Sequence, residues 1–578
     1  MESSAHSRYP RHDSHVRPSG SWLLVLLVLF AVLWFLSLGT RALVSPDEGR
    51  YATIALNMLH SGDWVTPRLN GLLYFEKPAL GYWMGALSLR LLGINEFAAR
   101  LWPGLAGFLT VLTVGLTGAR LWGRESGIRA FAIAGATSAI ALGAHYLTLD
   151  TGLMFFLTLT LCAVLIANGV AHASAARRRN WIWLAWAAIA GAVLTKGLIG
   201  LVIPGATLVL ASLWRRDVSL WRGMHWVSGL LIFFVLAAPW FVWVSLRNPV
   251  FAHFFFIHEH FERYLTTVHN RNEVWWYFLP LLLAGLLPWT SALPWLWRAP
   301  AQPSGVSGVS GAPGAPRRAG TRELLIVWLV FIFAFFSLSD SKLPSYILPM
   351  FPALALLIVM RLRDVKAATL RWHLLLTALL WALALVVSFG VDRLARPAAP
   401  IENLQPIAEA VRWGALVFFA GAALAAWFLR GSMERVAERR VTAAVITVAA
   451  AHFIAITLLM QSHNSFGQLK SAKAIASKLA PLVTPQTPVF SVRAYDQTLP
   501  FYLRRNVTLV DYEDEFALGE VQEPTRWILQ LDTFIAQWTA APQAAAYLSY
   551  PAWAELHQRG VQGRVVYQDP RRLVMVKP

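Results

Sequence analysis

The stretch Pro78-Ala79-Leu80-Gly81-Tyr82-Trp83-Met84-Gly85-Ala86-Leu87-Ser88-Leu89-Arg90-Leu91-Leu92-Gly93 decides how this chain is built. If it is a membrane-crossing helix the number of crossings is even, and if it is not the number is odd. The choice sets the side on which the rest of the chain lies. On either side of it, apolar runs of roughly 15 to 22 residues recur from Trp22 to Met460, near the length a helix needs to cross about 30 Å of hydrocarbon. Without residues 78–93 there are thirteen, near 21–39, 101–119, 130–144, 151–170, 181–195, 197–213, 226–246, 274–297, 323–337, 343–360, 373–391, 411–429 and 441–460.

Charge decides between the two counts, because Lys and Arg concentrate in the inner loops of membrane proteins. With the N-terminus inside and thirteen spans, the inner segments hold 24 Lys and Arg. The outer loops then hold about half as many over a greater length. Fourteen spans would invert this bias after residue 93. Residues 78–93 therefore read as an amphipathic helix lying at the outer interface, with Arg90 on its wet side.

The expected protein is a polytopic α-helical integral membrane protein. An inner tail (1–20) precedes a transmembrane domain (21–460), whose first run stays as a span because no small-residue cleavage site follows it. Outer loops lie at 40–100, with juxtamembrane helices, and at 247–273, and a Gly/Pro/Ser-rich inner loop at 299–322 is flexible. Residues 462–578 read as a soluble α/β domain on the outer face. Its pattern predicts a helix at 469–480, strands at Val489–Val492 and Val507–Val510 around a short helix at Asp496–Arg504, and a final strand pair at Val565–Gln568 and Leu573–Lys577.

At 57% apolar and 14% charged residues the chain is not an ordinary soluble protein. Its net charge of +19 is scattered through short loops and forms no stripe, which argues against a nucleic-acid partner. The single Cys162 lies in a span and excludes a disulfide framework or CxxC site. No inverted repeat of the transporter kind is visible.

Carboxylates and cations gather in the outer loops, where charge at membrane level needs a reason. The first loop holds Ser45-Pro46-Asp47-Glu48-Gly49-Arg50-Tyr51-Ala52 and then Tyr74-Phe75-Glu76-Lys77-Pro78. Asp47 and Glu48 also suit a plain helix start, and Asp150 in Thr148-Leu149-Asp150-Thr151 suits an N-cap. The segment from His253 to Tyr264, with Arg263, reads equally as an interfacial aromatic belt and matches no HExxH zinc spacing. Lys342-Leu343-Pro344-Ser345-Tyr346 can bind a phosphate, or Lys342 can snorkel. All these sets fall on one face once charge has fixed the topology. A pocket lined by carboxylates and by Arg50, Lys77, Lys196, Arg263 and Lys342 suits an anionic lipid head group that carries a sugar.

On these residues the sequence resembles the GT-C glycosyltransferases of the protein O-mannosyltransferase superfamily. It is more similar still to the bacterial 4-amino-4-deoxy-L-arabinose transferases, which decorate lipid A phosphates. The segments that carry the resemblance are Asp47-Glu48-x-Arg50-Tyr51-Ala52, Gly62-Asp63-Trp64, Tyr74-Phe75-Glu76-Lys77-Pro78 with Gly81-Tyr82-Trp83, Thr195-Lys196-Gly197, His253-Phe254-Phe255 and Lys342 to Leu348, with a weaker echo in Asp496 to Tyr502. The resemblance implies thirteen spans, a periplasmic site in the bacterial inner membrane, an undecaprenyl-phosphate aminoarabinose donor, a lipid A phosphate as acceptor, and resistance to polymyxin.

A phosphate monoester is already largely anionic at neutral pH and needs no general base, whereas a hydroxyl acceptor does. In the first case Lys77, Arg263 and Lys342, with the Tyr346 hydroxyl, hold the donor's phosphate as leaving group. Asp47, Glu76 and Asp150 then orient the sugar and stabilise positive charge at its anomeric carbon. Glu48, Arg50, Tyr51, Tyr74 and Lys196 surround them. With a protein or glycan hydroxyl as acceptor, Asp47 is the base. No cofactor is required, and Glu76 with a nearby histidine is where a divalent metal would bind.

Overall fold

The computed structural model describes residues 21–170, 173–262, 273–296, 320–362, 367–396, 400–430 and 438–577. The first part of the chain runs α1 (Ser21–Leu36), α2 (Asp47–Ser61), the hairpin β1 (Arg68–Leu69) and β2 (Leu72–Leu73), α3 (Leu80–Leu92), α4 (Glu96–Trp122), α5 (Arg124–Ala136), α6 (Ser138–Ala144), α7 (Asp150–Gly169), α8 (Ala175–Lys196) and α9 (Ile199–Arg215). Among the described residues nine helices are long and apolar enough to cross a membrane, or eleven if each of two bent pairs is one span. Length and apolarity alone thus stop short of the thirteen expected. The runs at 181–195 and 197–213 fold as α8 and the shorter α9.

Four of the spans, Trp22–Gly39, Trp226–Arg247, Thr369–Ser388 and Ile401–Phe428, bury only 17–22% of their apolar windows and present the rest outward, as lipid-facing helices do. The spans α4, α7 and Pro344–Leu362 bury 61–78% of theirs and form the interior. Small residues set the closest approaches: a Cβ on Gly107 would lie 2.3 Å from that of Ala144, and one on Gly127 2.5 Å from that of Ala119.

Two runs expected as single spans are broken. The α5–α6 pair (130–144 in the sequence reading) bends by 62°, and Phe278–Gly285 and Thr290–Leu296 (274–297) bend by 108°. Pro288 has no N–H to continue a helix, and Thr137 is extended at ψ 117°. The backbone groups freed inside the apolar layer satisfy one another. The Ser138 amide donates to the Leu287 carbonyl at 3.0 Å, and the Ser138 hydroxyl meets His452 Nε2 at 2.9 Å.

Residues 78–93 hold the short helix α3. Its 13 residues reach about 20 Å, too short to cross. It packs on α2 and α4 through Gly81, Tyr82, Gly85, Ala86 and Leu89, and leaves Arg90 exposed.

The C-terminal region carries a five-stranded sheet ordered β4-β3-β5-β7-β6, from β3 (Val489–Val492), β4 (Thr508–Val510), β5 (Ala545–Ser549), β6 (Arg564–Asp569) and β7 (Arg572–Val576). β3 is parallel to β4 and β5, and β7 is antiparallel to β5 and β6. The central strand β5 is absent from the sequence reading, because Ala-Ala-Tyr-Leu-Ser is almost wholly buried and shows neither alternation nor β-branched residues. The predicted helix at 469–480 is split, with Lys473–Leu479 its main piece.

This region does not stand apart from the membrane half. Leu43, Ile54, Leu69, Tyr74, Tyr82 and Leu149 share one buried cluster with Phe501, Leu509 and Phe516. Asn70 and Val507 exchange two hydrogen bonds of 2.8 and 2.9 Å, and Arg68 pairs with Glu523 at 2.8 Å.

Candidate active site

Asp47 and Glu48 open α2, and successive residues on a helix point about 100° apart, so the two acids have separate fates. Glu48 turns inward and is fully buried. It accepts from Arg100 Nε and Nη2 at 2.6 and 2.7 Å and from the amides of Val44 and Leu147 at 3.0 Å each. Burial alone would push this carboxyl up, but Arg100, itself buried, outweighs it and holds Glu48 below the usual carboxylate range. Arg100 also donates to the carbonyls of Leu38, Arg41 and Ala42. Glu48 therefore ties the first loop to α4 and to the connector that leads into α7.

Asp47 turns outward. Its Oδ1 lies 2.7 Å from Arg50 Nη1, one helical turn on, and the Arg50 Nε is bound by Glu515 of the C-terminal region. Beyond the β1–β2 hairpin, the buried Tyr74 is held by its amide on the Pro67 carbonyl at 3.0 Å, and Glu76-Lys77 follow. The Lys77 ammonium lies 2.6 Å from the Glu76 carbonyl oxygen and 4.0 Å from its carboxylate.

Asp150 is the first residue inside α7, whose N-cap is Leu149, so it does not take the N-cap place. Its carboxylate instead pairs with Lys196 at the end of α8 and accepts from Ser345 Oγ at 2.9 Å. The Lys196 ammonium lies 4.5 Å from the centre of the Tyr346 ring. One carboxylate thus joins α7, α8 and the helix entry at Pro344.

Tyr51 links the two groups. Burial pushes its hydroxyl pKa well up, and Asp47, Asp150 and Glu76 push it further while Arg50 opposes them. Three carboxylates from three separate stretches therefore act on one hydroxyl. Tyr74 is raised in the same way, by burial and then by Glu76.

The contacts thus fall into separate sets, Asp47 with Arg50, Glu76 with Lys77, and Asp150 with Lys196 and Tyr346, with Tyr51 electrostatically coupled to all three carboxylates. The buried Lys342 stands by the Glu273 carbonyl, to which it donates at 3.1 Å. Arg263 lies outside the described residues. Among the described residues no group of three or more His, Cys, Asp or Glu side chains is arranged to hold a metal.

The sequence reading does not single out Glu515, Gln497, Ser345 or Arg100 as site residues. Ser345 lies inside a motif already noted. Arg100 had only its place at the mouth of a span as a signal, and Glu515 had none. Cations beside carboxylates, in a partly buried setting, can bind an anionic group and stabilise positive charge forming next to it.

The family described as Dolichyl-phosphate-mannose-protein mannosyltransferase matches residues 21–255, and that described as Aminoarabinose transferase C-terminal domain matches residues 475–577. Among curated proteins, the Undecaprenyl phosphate-alpha-4-amino-4-deoxy-L-arabinose arabinosyl transferase of Pseudomonas aeruginosa strain UCBPP-PA14 is 36% identical over 372 residues, 63% of this chain and 64% of that protein. The protein of the same name from Erwinia tasmaniensis is 34% identical over 348 residues, 58% of each. The match thus spans 58–64% of the length of these relatives. The crystal structure of ArnT from Cupriavidus metallidurans bound to undecaprenyl phosphate superposes with a TM-score of 0.87 at 34% identity, over 96% of this chain and 98% of that one.

Proposed function

This chain belongs to the ArnT family of membrane glycosyltransferases, and on that premise we propose that it moves 4-amino-4-deoxy-L-arabinose from undecaprenyl phosphate to a phosphate of lipid A. The reaction takes place on the periplasmic side of the bacterial inner membrane, where the C-terminal region also lies. What carries this reading is the meeting of Asp47, Glu76 and Asp150 around Tyr51, with Arg50, Lys77 and Lys196 among them.

The donor's phosphate leaves as an anion, and Lys77, Lys342 and Arg263 neutralise it, with the Tyr346 hydroxyl as a hydrogen-bond donor. The carboxylates of Asp47, Glu76 and Asp150 face the sugar, pair with its amine and stabilise positive charge at the anomeric carbon. Lys196 and Ser345 fix Asp150 for this task. The acceptor phosphate attacks without a base, because its second pKa of about 6 leaves it largely ionised at neutral pH. A capped phosphate carries less negative charge and attracts polymyxin less. Side-chain cations supply the charge neutralisation, so the scheme requires no metal.

Mass spectrometry of lipid A tests this in a strain lacking the protein and in the same strain carrying wild type or Lys77→Ala. The aminoarabinose increment is expected to vanish on deletion, return with wild type and stay absent with a stably expressed Lys77→Ala. Lipid A that is unchanged throughout refutes the assignment and moves the search to a hydroxyl acceptor.

A further inference from the structure

We propose that Glu515 and Gln497, carried by the C-terminal region, are positioning residues of the active site: through Arg50 and Ser45 they hold the first turn of α2, and with it the Asp47 carboxylate. The inference rests on the transfer reading above.

The contacts form a relay. Arg50 is 12% exposed and divides its guanidinium between two acids, Nε to Glu515 and Nη1 to Asp47 at 2.7 Å. Glu515, 6% exposed, is aimed in turn by Gln497, whose Nε2 donates to its other oxygen at 2.7 Å. Gln497 also accepts from Ser45 Oγ at 2.5 Å on its side chain and from Thr53 Oγ1 at 2.9 Å on its backbone. Both ends of the first turn and a half of α2 are thereby held by one residue.

Shape agrees with these bonds. A Cβ on Gly49 would lie 2.5 Å from the Gln497 carbonyl carbon and from the Thr498 amide nitrogen, so the helix rests directly on that peptide. The peptide is itself braced, because Asp496 accepts from the Thr498 amide and hydroxyl at 2.9 and 2.6 Å and pairs with Arg572. Tyr502 adds a hydroxyl that accepts from the Leu43 amide at 2.7 Å. The stretch from Asp496 to Tyr502, which no step of the transfer uses, thus has a task in holding the first loop.

Glu515 acts by competition. While it binds Nε, Arg50 meets Asp47 through a single nitrogen, and the rest of that carboxylate is left to face the sugar. Without the Glu515 charge, Asp47 is the ion-pair partner that Arg50 keeps, and a two-nitrogen grip on it withdraws the carboxylate from the substrate.

The test uses the full-length enzyme in detergent, with undecaprenyl-phosphate aminoarabinose and lipid A as substrates, and compares Glu515→Gln, Arg50→Ala and the double variant. Glu515→Gln is isosteric and keeps a hydrogen-bond acceptor for Gln497. It is expected to lower kcat by about 10- to 100-fold, the scale of a small misplacement, with the donor KM within about twofold and the thermal midpoint unchanged. In the Arg50→Ala background the same change is expected to cost less than about twofold, because residues acting through one another are not additive. Losses that multiply in the double variant, or a Glu515→Gln enzyme as fast as wild type, overturn the proposal. Wild type that consumes no aminoarabinose donor overturns the transfer reading instead, and this inference falls with it.

Discussion

Neighbouring acids at the start of α2 are predicted to fail in opposite ways. Glu48→Ala leaves Arg100 charged and buried without its partner, a change that costs about 3–5 kcal/mol and is read as a large fall in the thermal midpoint. The pair also carries a pH signature. Because the Glu48 carboxyl is held below its unfolded value, its stabilisation is complete above about pH 4.3 and is lost as pH falls through the lowered pKa. Wild type should therefore lose stability on that acid limb, and a Glu48→Gln enzyme should show less of the loss. Asp47 is half open and outward-facing, so Asp47→Asn should leave the melting midpoint almost in place. For a phosphate acceptor its turnover falls by less than the roughly 10²-fold that removal of a general base costs, and a larger loss points to a hydroxyl acceptor. Of this much the sequence was informative: the acidic pair, Arg50 and Glu76-Lys77 stand out locally. It did not say which acid turns inward, since that depends on Arg100, 52 residues away.

At the level of elements, α2 is the lever, and Gly49 is its bearing surface. Gly49→Ala must displace backbone atoms of Gln497 and Thr498, not a flexible side-chain end, so α2 lifts from the C-terminal region. The expected result is a loss of transfer of at least about tenfold, together with faster proteolytic clipping in the 460–472 connection, measured by limited proteolysis against wild type. Elements with a strong local period were legible: the long spans, the short helix α3, and the edge-side strands β6 and β7. Those whose form depends on distant partners were not. The central strand β5 has no alternation to read, and the break at Pro288 is stable because the Leu287 carbonyl finds the Ser138 amide, 149 residues earlier in the chain. Glu515 meets Arg50 across 465 residues from an acidic loop without a motif, so its part in the site appears only in three dimensions.

For the whole molecule, the Lys/Arg bias predicts a sidedness that is open to direct measurement. The only cysteine, Cys162, is buried, which makes the natural chain a quiet background for labelling. Asp532→Cys, on the sheet-bearing region, should react with a membrane-impermeant maleimide in cells with a permeabilised outer membrane. Arg178→Cys, exposed at the start of α8, should react only after the inner membrane is opened. The reverse pattern would invert the topology. The grip of the C-terminal region on the first loop also bears on how the protein is made. Thr53 leaves the ribosome 444 residues before the Gln497 carbonyl it binds. At about 5–20 residues per second, the loop waits roughly 20 to 90 seconds in the translocation machinery or at the membrane surface before its partner is synthesised. Until then the Asp47 carboxylate has no fixed aim, and a ribosome that stalls before the last hundred residues is expected to release a membrane product whose turnover falls at least as far as that of Glu515→Gln.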